Sequence, residues 1–477
     1  MTEMESQQAL KNIVDDWTKM NTNEILRGLE AKTPMDLLRY ERKLLLMVIA
    51  LGKLIIAWIL KTNAEEKGFQ KRTKRSFLRG HAGYRHQSNK KTPVRTLFGN
   101  VVWLKCNYCV TKRTNKKRRL GKNGSGSFPA LEALGIRHHA TPALASEIAM
   151  CVTEGPSMMA VRERLERYGL SFNIKVIKRI AECFAKAGLA VRNAWVNSGG
   201  EAPCPLVPSN ETYAGCRVLI GGDGGRLRTR KKKAGRIPDG KKRHGFDADW
   251  REPKMLAIRV LDGMGAVIRT EHPVYDGTIG NADALFNILR AHLKARHIDK
   301  AAEVVCNCDG APWIWDRMGN LLDELGVERT KVSLVLDYYH AVEHITAVAD
   351  GKSLWSQKKR TRWMNHMKGI LINGKIAELL HELGKFARGR AAPKVKREMR
   401  YFEENRERMH YDLIVEKKLP IGSGATESAI RQVVNMRLKG AGMFWLVDNA
   451  EAFLHLRCYL KARRWNAMEE AVFSGAW

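Results

Sequence analysis

CRVLIGGDGGR, residues 216–226, is a β-branched and aliphatic run that stops at Asp223 between two pairs of glycines. The pattern predicts a buried strand, and a carboxylate flanked by glycine at its end sits at a sheet edge where the backbone allows close approach. Two later stretches end the same way: EVVCNCDG runs into Asp309, and KVSLVLDYYH runs into Asp337. Glu427 follows a Gly-Ser-Gly turn in IGSGATESAIRQVV, where a helical pattern opens. Acids at strand ends together with a helical glutamate suit two hard ions, Mg²⁺ or Mn²⁺. Such ions take oxygen ligands and, about 3.5–4 Å apart, clamp the attacking and leaving oxygens of an in-line phosphoryl displacement.

The order of elements around these acids predicts the fold. Strands are expected at 218–223, 255–261 and 265–271, then a helix at 281–296, a strand at 303–308, a helix at 312–325 and a strand at 332–337. Three antiparallel strands followed by strand-helix units that add in parallel through right-handed crossovers describe an RNase H-like α/β domain, 201–338 in its first part. In that order the first and fourth strands are neighbours, so Asp223 and Asp309 share the ions. The fifth strand lies one place further out, which makes Asp337 a supporting acid that holds the start of the next segment together with His340. That segment, 339–418, is rich in Lys, Arg and Trp with helical periodicity and reads as an all-helical insertion; 419–477 returns the Glu427 helix to the site. A lone Asp after a strand is also a common turn former or helix cap, and a lone His is commonly a hydrogen-bonded core residue.

The chain has 477 residues, enough for about three domains at about 150 residues each. Its net charge of +33 is spread along the whole length, which points to a polyanionic partner, nucleic acid foremost. Nine cysteines scattered through apolar segments argue for a reducing compartment rather than a disulfide framework. The polar opening MTEMESQQAL lacks the pattern of a signal peptide. The apolar stretch Leu44 to Leu60 is interrupted by Lys53 and is shorter than the about 20 residues that a membrane span prefers, so it is expected to be a buried helix and the protein cytoplasmic.

Residues 1–88 are helical in pattern, and 89–127 hold a basic β-hairpin turning at Gly99–Asn100. The hairpin carries one Cys-x-x-Cys, Cys106 and Cys109, which is either half of a zinc site or a structural pair, because no second ligand pair follows. TNKKRRLGKNGSGS, 114–127, is a basic linker able to track phosphates. Residues 128–200 contain MMAVRERLERYG and FNIKVIKRIAECFAKAG, spaced as a helix-turn-helix or a plain helical hairpin, with Lys175, Lys178 and Arg179 expected on the exposed face of the second helix.

After the first acid comes RLRTRKKKAGRIPDGKKRHG, 226–245, expected as a basic loop that holds DNA phosphates over the ions. Its contributors are Arg226, Arg228, Arg230, Lys231, Lys232, Lys233, Lys241, Lys242 and Arg243, joined further on by Arg431, Arg437 and Lys439. Trp313, Trp315 and Trp445 read as core, and Trp445, which follows the basic RLKGAG, is also a candidate base-stacking residue.

GGDGG, CDGAPWIW, LDYYHAVEH and IGSGATESAIRQVVNMRLKGAGMFW, in this order, resemble the motifs of bacterial insertion-sequence transposases of the DDE type, most like the ISKra and ISLre groups and more distantly the Mutator-like clan. The resemblance covers about 200–477 well and the earlier TPVRTLFGNV, CNYC and TPALASEIAM more loosely; it departs at the front, where the second half of a zinc ribbon is lacking. It implies a catalytic and ion-binding triad of Asp223, Asp309 and Glu427, an Asp-x-x-His element at Asp337 and His340, two Mg²⁺ or Mn²⁺ ions, double-stranded DNA as partner, and at least two copies acting on paired ends. Two other readings stand beside it: a metal-dependent nuclease of the same fold that cuts without joining, and a transposase-derived DNA-binding protein.

Overall fold

Local periodicity sets most elements where expected, and the computed structural model describes residues 2–112, 126–208, 210–237, 239–241, 244–352, 354–389 and 392–477. The chain is mixed helix and sheet with a helical N-terminal region, and it divides into two compact units, 1–184 with Trp477, and 185–476.

In the first unit, α1 (Glu3–Leu26) opens on a capping box between Thr2 and Glu5, and α2 (Pro34–Glu65) opens on Thr33. α3 (Lys67–Gly80) follows, and then β1 (Tyr84–Arg95) and β2 (Val101–Thr111) form an antiparallel hairpin with β3 (Gly126–Ser127) on the outer edge of β2. Gly99 supplies the left-handed backbone of the turn, φ +88°. Buried Gln70 ties α3 to the hairpin: its Nε2 donates to the carbonyls of Ala64 (3.0 Å) and Lys105 (2.9 Å), while its Oε1 accepts from the Asn107 backbone (2.9 Å). Short α4 (Pro129–Ala133), α5 (Pro142–Glu154) and α6 (Met158–Arg167) lead into α7 (Ile174–Asn197), within which the boundary between the units falls.

The expectation of a buried apolar helix fails for α2. Only Met47, Leu60 and Ala64 are buried, while Leu45 and Leu46 are 54% and 61% exposed. From Leu44 to Leu60 the helix is apolar except at Gly52 and Lys53, and the small core of Val94, Val102, Leu104 and Cys106 reaches only its C-terminal end. Among the described residues it is the one helix long and apolar enough to cross a membrane, by length and composition.

The second unit is built on a five-stranded sheet of order β10-β9-β4-β7-β8. β4 (Arg217–Gly224), β7 (Lys254–Leu261) and β8 (Val274–Thr278) are antiparallel, whereas β9 (Glu303–Cys308) and β10 (Val332–Leu336) run parallel to β4. Helices α8 (Ala282–Lys294) and α9 (Pro312–Glu324) make the crossovers. The strand expected at 265–271 is not formed beyond a single Leu261–Val267 bridge. Asp262 accepts there from the backbone N–H groups of Met264 (2.8 Å) and Ala266 (2.9 Å), closing a turn in place of a ladder. The third strand is β8, disguised in sequence by a charge: Asp276 is fully buried and held by Arg192 (3.0 Å) and His292 (3.1 Å).

The basic stretch expected as a loop is also partly sheet. β5 (Leu227–Lys232) pairs antiparallel with β6 (Phe246–Arg251), because Leu227 and Thr229 alternate inward beneath the arginines. Lys242 and Arg243 lie outside the described residues, as does the linker up to residue 125.

From β10 the chain enters α10 (Tyr338–Asp350), α11 (Gln357–Ile372), α12 (Ile376–Gly384), α13 (Ala392–Glu404) and α14 (Tyr411–Glu416). These helices share one core with the sheet, Met367, Leu371, Leu379 and Phe402 being continuous with Val335, Leu336 and Ile345. α15 (Gly424–Ile430), α16 (Val447–Lys461) and α17 (Trp465–Ala471) complete the unit.

Candidate active site

Strand register brings three aspartates to one level. Ile220 of β4 pairs with Cys306 of β9, so three residues on Asp223 stands beside Asp309; Leu336 of β10 pairs with Cys308, so one residue on Asp337 stands beside Asp309 on its other side. Neighbouring strands are about 4.8 Å apart, and paired residues of parallel strands face the same side. The backbone N–H of Gly222 donates to Cys308 Sγ at 3.2 Å, and that of Asp337 donates to the Cys308 carbonyl at 2.9 Å, which keeps the strand ends together.

Gly221 decides how Glu427 arrives. It lies two residues before Asp223, on the same face of β4, and a Cβ there would stand 1.8 Å from Thr426 Oγ1 and 3.0 Å from Thr426 Cβ. Only a bare backbone lets α15 lie this close to the strand, and Glu427 is the next residue along the helix. Past Ile430 the helix loosens into a π turn, Arg431–Asn435, and the buried guanidinium of Arg457 binds the freed carbonyls of Gln432 and Val433.

The two outer aspartates differ in their surroundings. Asp223 is half-buried; its Oδ1 accepts only from its neighbour's N–H, Gly224, at 2.6 Å. Burial first, then the carboxylates of Asp309, Glu427 and Glu252, push it up to about 6 against that hydrogen bond. Asp337 is buried and fully engaged: Oδ1 caps α10 through the His340 N–H at 3.0 Å, and Oδ2 accepts from Ser423 N at 2.7 Å and from Ser423 Oγ. Ser423 Oγ also stands 3.3 Å from Glu427 Oε1, so Asp337 braces the turn that presents Glu427.

Asp309, between them, accepts from the Ala311 N–H at 3.0 Å, and its carbonyl accepts from Trp315 Nε1 at 2.7 Å. Burial raises its carboxyl, with Asp337 and Glu252 adding to the effect, against the Ala311 hydrogen bond and the charge of His340. Among the described residues, Asp223, Asp309 and Glu427 have no ion-pair partner. His340 lies 3.3 Å from Glu343 and is edge-on to His344.

Two groups at this site escaped the sequence reading. Glu252 precedes Pro253 at the start of β7 and lies over Gly224, where a Cβ would meet its Oε1 at 2.2 Å; pairing the hairpin back from Asp223 would have found it. Tyr401 comes from α13 and had no sequence signal. A Cβ on Gly310 would stand 2.4 Å from its ring and 2.9 Å from its hydroxyl, so it covers the residue after Asp309. Among the described residues its buried hydroxyl has no hydrogen-bond partner, and its ring stacks at 3.6 Å on His344, whose Nδ1 is 2.6 Å from Glu398.

The donor set is oxygen-only, with Asp223 and Asp309 half-buried and Glu427 exposed, which suits hard divalent ions. Among the described residues no three His, Cys, Asp or Glu side chains are drawn together as ready ligands, since Asp223 and Asp309 each turn an oxygen to a backbone N–H. Cys106 and Cys109 are both buried, three residues apart on β2 and therefore on opposite faces, with Cys106 Sγ 3.6 Å from the Ala64 carbonyl.

Of the basic candidates, Lys175, Arg179, Arg226, Lys231, Lys232, Lys233, Lys241, Arg431 and Lys439 are exposed, Arg228 and Arg230 half-buried, and Lys178 pairs with Glu182 at 3.5 Å. Two of the candidates pack against each other. Arg437 is buried with its guanidinium over the Trp445 ring, 5.3 Å from the centroid, and Trp445 is half-buried with its Nε1 donating to the Leu438 carbonyl at 3.0 Å. Burial withdraws the Arg437 charge from a strand of DNA, and the Trp445 indole N–H is engaged by the Leu438 carbonyl. No family model, no curated protein and no solved structure matches the chain.

Proposed function

We propose that this chain is a DDE transposase with an RNase H-like catalytic domain. One observation carries the reading: Asp223 and Asp309, at the ends of two adjacent parallel strands, and Glu427, on the helix laid on Gly221, come to one end of the sheet with no ion-pair partner among the described residues, and burial and neighbouring carboxylates push Asp223 up to about 6. Crowded acids without partners destabilise a fold, and functional sites are where such strain is retained. The strand order β8-β7-β4-β9-β10, antiparallel through the first three and parallel in the last two, supports the RNase H-like reading.

Asp223, Asp309 and Glu427 would hold two Mg²⁺ or Mn²⁺ ions, with Glu252 alongside. When bound, the ions supply activation of the attacking oxygen and neutralisation of the charge developing on the leaving oxygen. Asp337 and Ser423 keep Glu427 in place, and the Tyr401 hydroxyl, without a hydrogen-bond partner among the described residues, would donate to a phosphate oxygen of the substrate. The substrates are the element's own ends and target double-stranded DNA, bound by at least two copies in the bacterial cytoplasm.

The test incubates the protein with the DNA flanking its own coding sequence and Mg²⁺, and maps nicks and joined products. Asp223→Ala is expected to abolish cleavage with DNA binding intact. Full cleavage in that variant, or cleavage in EDTA, refutes the proposal; nicks without joined products select the nuclease reading.

A further inference from the structure

The basic ribbon β5–β6 is a continuation of the β4–β7 hairpin in the same register. Gly224 pairs with Lys254, and beyond a short break at Gly225 and Pro253, Leu227 pairs with Arg251, Arg228 with Trp250 and Lys232 with Phe246, each step one residue for one. The ribbon therefore leads out from the strand end that carries Asp223. The Arg228–Trp250 pair lies five residues beyond it, about 17 Å at the usual strand rise.

The two faces of the ribbon differ in chemistry. Residues directly opposite share a face, so Asp247 and Asp249 both fall on one side, where they pair with Lys233 (3.1 Å) and Arg251 (3.2 Å). The other face has no acid between residues 228 and 250. It carries arginines leaning on rings: Arg226 and Arg228 over Trp250 at 5.4 and 5.7 Å, Arg228 over Phe444 at 4.9 Å, and Arg230 over Phe246 at 5.9 Å. Phe444 reaches this face because Trp445 bridges to Thr229, with the Arg230 N–H donating to the Trp445 carbonyl at 2.8 Å. Trp250 and Phe246 stay 50% and 42% exposed, and among the described residues no carboxylate pairs with the three arginines.

Exposed aromatic rings cost solubility, and unpaired arginines repel one another. Together on one strand face they match a ligand with flat π surfaces and regularly spaced negative charge. We propose that this face binds an unpaired, single-stranded stretch of nucleic acid, with a base stacked on Trp250, the next toward Phe246, and the phosphates on Arg226, Arg228 and Arg230. Duplex DNA hides its base faces, so it would use the arginines alone. The proposal rests on the reading of the chain as a DNA-processing protein, and it assigns base stacking to Trp250 in place of Trp445.

The test measures fluorescence anisotropy of labelled oligonucleotides in EDTA, so that no cleavage enters. Wild type, Trp250→Ala, Trp250→Phe and Phe246→Ala are compared on one sequence as single strand and as duplex. Trp250→Ala is expected to weaken single-strand binding about 10-fold, within the range for loss of one stacked base. Trp250→Phe retains most of the affinity, and duplex binding changes less than twofold. Equal losses on both forms, or no loss on the single strand, overturn the proposal. Unchanged single-strand binding with loss of self-association in Trp250→Ala assigns the face to a second copy and also overturns it. A protein that never cleaves but shows the expected selectivity leaves this inference standing while the transposase reading falls.

Discussion

Replacing Asp223 by asparagine is expected to stabilise the protein. Asparagine keeps the Oδ1 acceptor for the Gly224 N–H and removes the charge that burial and the carboxylates of Asp309, Glu427 and Glu252 disfavour. The carboxyl is raised from the usual 3.8 to about 6, and two units correspond to about 3 kcal/mol as an upper limit. Solvent reaching a half-buried group reduces this to about 1–2 kcal/mol. Because the folded value lies above the unfolded one, the penalty is absent below about pH 4, grows between pH 4 and 6, and is complete above 6. Asp223→Asn should thus melt several degrees higher than wild type at pH 7.5 without divalent ions, at about 2–4 °C per kcal/mol for a unit of this size, and level with it at pH 4. Millimolar Mg²⁺ should raise the wild-type midpoint and leave the variant nearly unmoved, since binding to the folded state alone stabilises it. Thermal unfolding followed by circular dichroism across pH reads all of this. A variant less stable than wild type at pH 7.5, or a difference constant from pH 4 to 7.5, refutes the argument that these acids repel one another.

Asp337→Asn, by contrast, should destabilise by about 2–3 kcal/mol in urea unfolding, because a buried amide N–H₂ then faces the Ser423 donors that Oδ2 now accepts; an unchanged midpoint would count against its bracing role. Gly221→Ala should cost about 1–3 kcal/mol by driving Thr426 off β4, and should lower cleavage by displacing Glu427; Thr426→Ala in the same chain should restore part of both losses. Tyr401→Phe should leave stability equal or slightly higher, since the hydroxyl has no partner, yet slow cleavage about 100-fold at unchanged DNA affinity; an unaltered rate would remove Tyr401 from the site.

The elements that carry the acids are legible in the local pattern of the chain. β4, β9 and β10 are short apolar runs ended by Asp-Gly or Asp-Tyr, and the Gly-Ser-Gly turn marks the start of the Glu427 helix, so local periodicity and turn chemistry suffice to draw them. The sequence reads less well wherever charge disguises the pattern. β8 carries buried Asp276, stabilised by partners from α7 and α8, and β5 alternates inward among four basic residues, so neither shows the pattern of a strand. Which groups meet follows from packing alone. That Gly221 admits a helix rather than a ligand, that Asp337 is bound to Ser423 while Asp223 has only its neighbour's N–H, and that Tyr401 and Glu252 join the site all depend on contacts between distant segments. The same holds for α2, whose apolar sequence predicts burial although the neighbouring hairpin is too small to cover it. Periodicity along a chain records which way a side chain faces. What stands opposite depends on packing between segments far apart in the chain, which no local pattern encodes.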